Sequence, residues 1–72
     1  MKKYPFWAPK EGEWKPDMNW AAVDSIGTVF QYHYKPTLKQ SSWNANGKCA
    51  AYKMIDPIKD WKKALVKRPD EW

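Results

Sequence analysis

Nucleophilic catalysis needs a nucleophile, a base and a group that orients the base. In this chain of 72 residues Cys49 and His33 are the only cysteine and histidine. On neighbouring strands the two could meet, yet His33 falls in an alternating run with Gln31 and Lys35, and no third residue presents itself. A sheet histidine and a small buried thiol account for both. The carboxylates have structural explanations: Asp24 as a turn residue, Asp56 as a helix N-cap and Asp60 as a charge in the first helical turn. Gly12, Gly27 and Gly47 are isolated, so no glycine loop cradles a phosphate. A zinc site would have to recruit carboxylates or a second chain. The pattern therefore implies no enzyme, no cofactor and no metal.

Binding chemistry is better supplied. Thirteen Lys and Arg stand against eight Asp and Glu, a formal charge of +5, with Arg68 the only arginine. Such a balance favours acidic partners in general: nucleic acid, an anionic surface or an acidic protein face. Lysines also keep an aromatic-rich protein soluble, which is the plainer reading of them. Six tryptophans, four tyrosines and two phenylalanines belong first to the core, because a chain this short hides only about 60% of its unfolded surface and each buried aromatic covers roughly 150–250 Å². Their number exceeds what such a core accommodates. Trp7, Trp14, Trp43 and Trp72 lie at or beyond the ends of the expected elements, and exposed tryptophan is enriched at the energetic centres of protein interfaces. These four are the candidate protein-binding residues. The competing candidate is a basic surface made of Lys59, Lys62, Lys63, Lys67 and Arg68 together with Lys35 and Lys48, able to neutralise several phosphates.

The elements that must position these residues are short. Residues 1–19 hold Pro5, Pro9 and Pro16 without helical or strand periodicity, and read as an extended arm whose aromatics pack partly across the domain. Residues 20–69 read as a single domain, followed by a tail of residues 70–72. Strands are expected on both sides of Ser25-Ile26-Gly27, where Gly27 supplies the positive φ of a short hairpin loop. In the second strand Phe30, Tyr32 and Tyr34 share one face, expected inward, and Val29, Gln31, His33 and Lys35 the other. On an open sheet such aromatics can also stack the bases of single-stranded nucleic acid. Thr37 to Ser42 read as a polar connection. Trp43 precedes Asn44-Ala45-Asn46-Gly47, a strong hairpin signal, and Lys48 to Met54 read as a third strand with Ala50, Tyr52 and Met54 on one face.

Asp56-Pro57 has the form of a helix start, an N-cap carboxylate followed by proline at the first helical position. On a helical wheel from Pro57 to Lys67, residues Ile58, Trp61, Ala64 and Leu65 form an apolar arc while Lys59, Lys63 and Lys67 line another, with Lys62 nearby. The predicted fold is α+β: a three-stranded, mainly antiparallel sheet of two hairpins, the C-terminal amphipathic helix on one face and the arm laid across.

The run Trp20-Ala21-Ala22-Val23-Asp24 to Gly27-Thr28-Val29-Phe30, with Lys35-Pro36, Trp43, Gly47, Asp60-Trp61-Lys62, Leu65 and Arg68-Pro69, resembles small Trp-rich accessory proteins of bacteriophages and prophages. The resemblance covers about residues 20–69 and leaves the arm outside. It implies a viral or mobile-element origin, a protein that binds and blocks or modulates a host or defence protein, and no catalytic residues. A nucleic-acid-binding module is the alternative, and a structural or self-associating phage protein a second one. Met1-Lys2-Lys3 resembles the basic start of a signal peptide, but Pro5, Trp7, Pro9 and Lys10 interrupt the apolar run that must follow. The lone cysteine excludes an internal disulfide. No stretch reads as a membrane span, and the expected location is the cytoplasm of an infected or lysogenic bacterium.

Overall fold

Residues 5–70 are described by the structure, a computed structural model. Trp72 and the first four residues lie outside the described residues. Six strands run in chain order: β1 (Trp20–Val23), β2 (Thr28–Tyr32), β3 (Thr37–Leu38), β4 (Trp43–Asn44), β5 (Cys49–Met54) and β6 (Leu65–Lys67), with a 3₁₀ turn at Trp61–Lys63. Four of them form an antiparallel sheet in the order β5-β2-β1-β6, and β3 and β4 form a second, two-stranded one.

The central β1–β2 hairpin closes where the turn residues foretell it. Asp24 accepts from the N–H groups of Ile26 (3.2 Å) and Thr28 (3.0 Å) through one carboxylate oxygen. Its own backbone exchanges bonds with Thr28 and Gly27. Gly27 has φ +91°, and a Cβ there would lie 2.1 Å from the carbonyl oxygen of Ile55. That closeness is used, since the Ile55 N–H donates to the Gly27 carbonyl at 2.8 Å. Only glycine provides both the turn and the approach.

The expected C-terminal helix is absent, and the α+β class is corrected to an all-strand fold. After Ile55 is tied to Gly27, the chain winds only at Trp61–Lys63. Asp60 takes the cap position without a side-chain bond, and Ala64 ends the turn at ψ 76°. Leu65, Val66 and Lys67 then pair with Ala22, Ala21 and Trp20 of β1. The physical reason is a competition. An isolated helix shorter than about 12–15 residues is marginal, whereas β1 is buried and its free edge would leave backbone donors and acceptors unsatisfied. Pairing with β6 satisfies them, so Lys59, Lys63 and Lys67 share no helix face.

The facing of β2 is also corrected. The period-two alternation holds, but Val29 and Gln31, with Ala21 and Val23 of β1, form the fully buried face. Trp7, Ala8, Trp14, Met18 and Ala64 cover it, so the arm is one layer of the core. The arm proceeds by successive turns closed by bonds from Ala8 to Pro5, Glu13 to Lys10 and Met18 to Lys15. Gln31 fastens it: its Oε1 accepts from the Lys15 N–H at 2.7 Å, and its Nε2 donates to the Glu13 carbonyl at 3.2 Å. A buried amide is tolerated because both ends are paired.

On the opposite face Tyr32 is buried as well, beneath a second hairpin rather than a helix. Thr37 to Ser42, expected as a polar connection, and the Trp43-Asn44 step after it carry β3 and β4, with Thr37 paired to Asn44 and Leu38 to Trp43. The hairpin is held by the Trp43 indole, which donates to the carbonyls of Val23 (2.9 Å) and Trp61 (3.3 Å), and by Ser25 donating to the Ser41 carbonyl. Asn46-Gly47 therefore joins two sheets instead of turning one hairpin. A Cβ on Gly47 would lie 2.8 Å from the Tyr34 ring.

Candidate binding surface

The two residues first considered for nucleophilic chemistry are on adjacent strands but opposite faces. Cys49 pairs with Tyr32, whereas Gln31, two positions before His33, faces the arm. The His33 Nδ1 is engaged by the Asp17 carbonyl, and its ring meets that of Tyr34 edge-on at 4.4 Å. Cys49 is exposed. Among the described residues, an open depression of about 230 Å³ is lined by Asn19, Lys67, Arg68, Pro69 and Asp70, and a second of about 240 Å³ largely by apolar residues around Trp7 and Ile58. Neither brings a nucleophile and a base together.

Of the four tryptophans proposed to face a partner, Trp7 and Trp14 are only 3% and 8% exposed. Both belong to the core, Trp7 with an edge on the second depression. Partial packing of the arm across the domain was expected, but a proline-interrupted segment has no periodicity to mark which of its aromatics point inward. Trp43 is half-buried and committed to hairpin bonds through its N–H. Trp72 lies outside the described residues. The basic candidates lie on several elements: Lys59, Lys62 and Lys63 are exposed in and before the 3₁₀ turn, Lys67 is in β6 with the half-buried Arg68 after it, and Lys48 precedes β5. The Lys35 ammonium sits 5.8 Å from the centroid of Trp20, and Lys62 at the same distance from Trp61. Such pairs bury lysine stems on aromatic surface while the charge stays wet.

The surface also exposes large apolar side chains. Phe6 (72%), Met54 (69%), Ile26 (64%), Tyr34 (58%) and Leu38 (41%) are solvent-facing. Ile26 was legible, since the central residue of a tight turn between Ser25 and Gly27 must point outward. Met54 was not. Register shifts between Val29 and Phe30, which face Lys53 and Ala51, so Tyr52 is an extra residue in β5. This bulge turns Met54 onto the face of Ala51 and away from that of Ala50.

Beside the bulge, the Tyr52 hydroxyl donates to the Glu13 carboxylate at 2.6 Å, joining β5 to the arm. Partial desolvation and then this bond push the Tyr52 phenol up to about 12. The same bond, helped by the Lys10 N–H, holds the Glu13 carboxyl below its usual range. Lys53 adds its ammonium 5.2 Å from the Tyr52 ring.

No protein-family model matches the sequence, and no curated protein and no solved structure matches it.

Proposed function

We propose that this chain is a non-catalytic protein that blocks or modulates a protein of a bacterial host by stoichiometric contact. The observation that carries the reading is the set of large apolar side chains left in solvent, Phe6, Ile26, Tyr34, Leu38 and Met54, on a domain whose described tryptophans are all buried or half-buried. Large apolar groups left outside are surface that a partner gains by burying. The net positive charge adds steering toward an acidic partner, and the resemblance to phage accessory proteins supports a host target in the cytoplasm. No helix among the described residues is long and apolar enough to cross a membrane.

The test is affinity capture from a bacterial lysate with and without nuclease, using the full chain and a variant in which Phe6, Ile26, Leu38 and Met54 are all replaced by Ser. The reading expects a nuclease-resistant protein target retained by the parent and lost by the variant, with the melting temperature of the variant preserved. A target lost on nuclease treatment replaces it with the nucleic-acid reading.

A further inference from the structure

One edge of the main sheet is open. β5 is the terminal strand on its side, and no strand among the described residues pairs with its outer edge. Two bonds fix which backbone groups face inward: the His33 N–H donates to the Lys48 carbonyl at 3.0 Å, and the Ile55 N–H to the Gly27 carbonyl at 2.8 Å. By the alternation of an antiparallel ladder, the N–H and C=O groups of Cys49, Ala51 and Met54 then point away from β2. All three residues are exposed. The opposite edge differs: β6 has three residues and runs within two positions into Pro69, a residue that cannot extend a ladder.

The side chains along β5 divide by face. Lys53 lies opposite Val29, and Lys48 is bonded to His33, which places both lysines on the arm side. Cys49, Ala51 and Met54 lie opposite Tyr32, Phe30 and Thr28 on the other side. Small side chains at Cys49, Ala50 and Ala51 let another backbone approach. On the lysine side, the Glu13 carboxylate is taken by the Tyr52 hydroxyl and the Lys10 N–H.

Resting on the protein-binding reading above, we propose that the β5 edge receives, as a fifth strand, an extended segment of a protein partner in which acidic and apolar residues alternate. Backbone bonds to Cys49, Ala51 and Met54 supply the pairing. Acidic residues on one face of the added strand meet Lys48 and Lys53, and apolar residues on the other cover Ala51 and Met54. A second copy is disfavoured as occupant, because two chains of charge +5 repel. Nucleic acid brings phosphates but no ladder of alternating donors and acceptors.

The probe is a capped octapeptide of alternating Glu and Val, titrated to about 1 mM into the isotope-labelled full chain and compared with a peptide of the same composition in two blocks. The alternating peptide is expected to shift the amide signals of Cys49, Ala51 and Met54 and to slow their hydrogen exchange about tenfold, with the block peptide much weaker. Ala51→Pro, which removes an outward N–H without touching the ladder to β2, should abolish the effect. Should that variant fold poorly, Lys48→Glu with Lys53→Glu should weaken binding about tenfold on its own. The proposal is overturned by equal binding of both peptides, by shifts confined to another surface, by no shift at the highest concentration, by light scattering that shows a dimer with these amides already protected, or by single-stranded DNA reproducing the same shifts. Capture of a host protein that survives Ala51→Pro overturns this inference and leaves the broader reading standing. Peptide-induced shifts in a chain that captures no protein support the edge and overturn the broader reading.

Discussion

Replacing Gln31 with Leu isolates what its amide does, because the two side chains have similar volume and the cavity contribution stays small. Two hydrogen bonds are lost, from the Lys15 N–H and to the Glu13 carbonyl, each worth about 1 kcal/mol net. The stranded backbone groups cost further where water cannot reach them, up to about 1–3 kcal/mol apiece. Lys15 and Glu13 are themselves exposed, so part of that penalty is recovered by rehydration. The sum is about 2–4 kcal/mol, a large share of the roughly 5–15 kcal/mol that holds a small domain together. Urea unfolding followed by tryptophan fluorescence should show the lower midpoint. Hydrogen exchange should show the Lys15 amide released before the β1–β2 ladder. A change below about 0.5 kcal/mol with Lys15 still protected would refute the claim that this amide fastens the arm.

Gly27→Ala should cost about 2–4 kcal/mol, since a Cβ there meets the Ile55 carbonyl oxygen in a backbone region that disfavours side chains; thermal unfolding measures it. The Trp14 indole N–H is buried without a partner, so Trp14→Phe should stay within about 1 kcal/mol of the parent while Trp14→Ala loses about 3–5 kcal/mol in urea titration. Glu13 has a folded pKa below its free value of 4.5, so its bond to Tyr52 contributes above that pH and is lost as the solution is acidified through the folded value. Tyr52 is raised from 10.0 to about 12, so its contribution is present below pH 10 and lost as pH rises through about 12. Urea midpoints across this range should fall at both ends, and Glu13→Gln should flatten the acid limb. Trp43→Phe removes the donor shared by Val23 and Trp61 and should speed exchange at Lys39, whose N–H donates to the Ser42 carbonyl across the hairpin, before the main sheet opens, as amide exchange will record.

Legibility followed locality. The hairpin around Gly27 and the strand after Asn46-Gly47 could be read because turn residues and alternation act within a few positions. The C-terminal segment could not, because Asp56-Pro57 and the spacing of Ile58, Trp61 and Leu65 satisfy a helix locally while the deciding interaction is with β1, far away in the chain. The same holds for the inward face of β2. Its alternation was visible, but whether Val29 or Phe30 faced the core depended on where the arm settled. As for the binding surface, Ile26 was accessible from turn logic, whereas the outward Met54 depends on a one-residue bulge that nothing in Ala50-Ala51-Tyr52-Lys53 announces. Tryptophan abundance was a misleading guide, since Trp7 and Trp14 fill the layer that the missing helix was expected to provide.

The pairing of β6 with β1 joins residues separated by most of the domain. Closing so long a loop is entropically costly, and non-local pairings of this kind are slow to form. During synthesis the β1–β2 hairpin can therefore zip early, but the free side of β1 waits until Leu65 to Lys67 emerge. A prematurely terminated product ending before Leu65 would carry that bare strand permanently, and would be the species most prone to clump or to be cleared by cellular quality control.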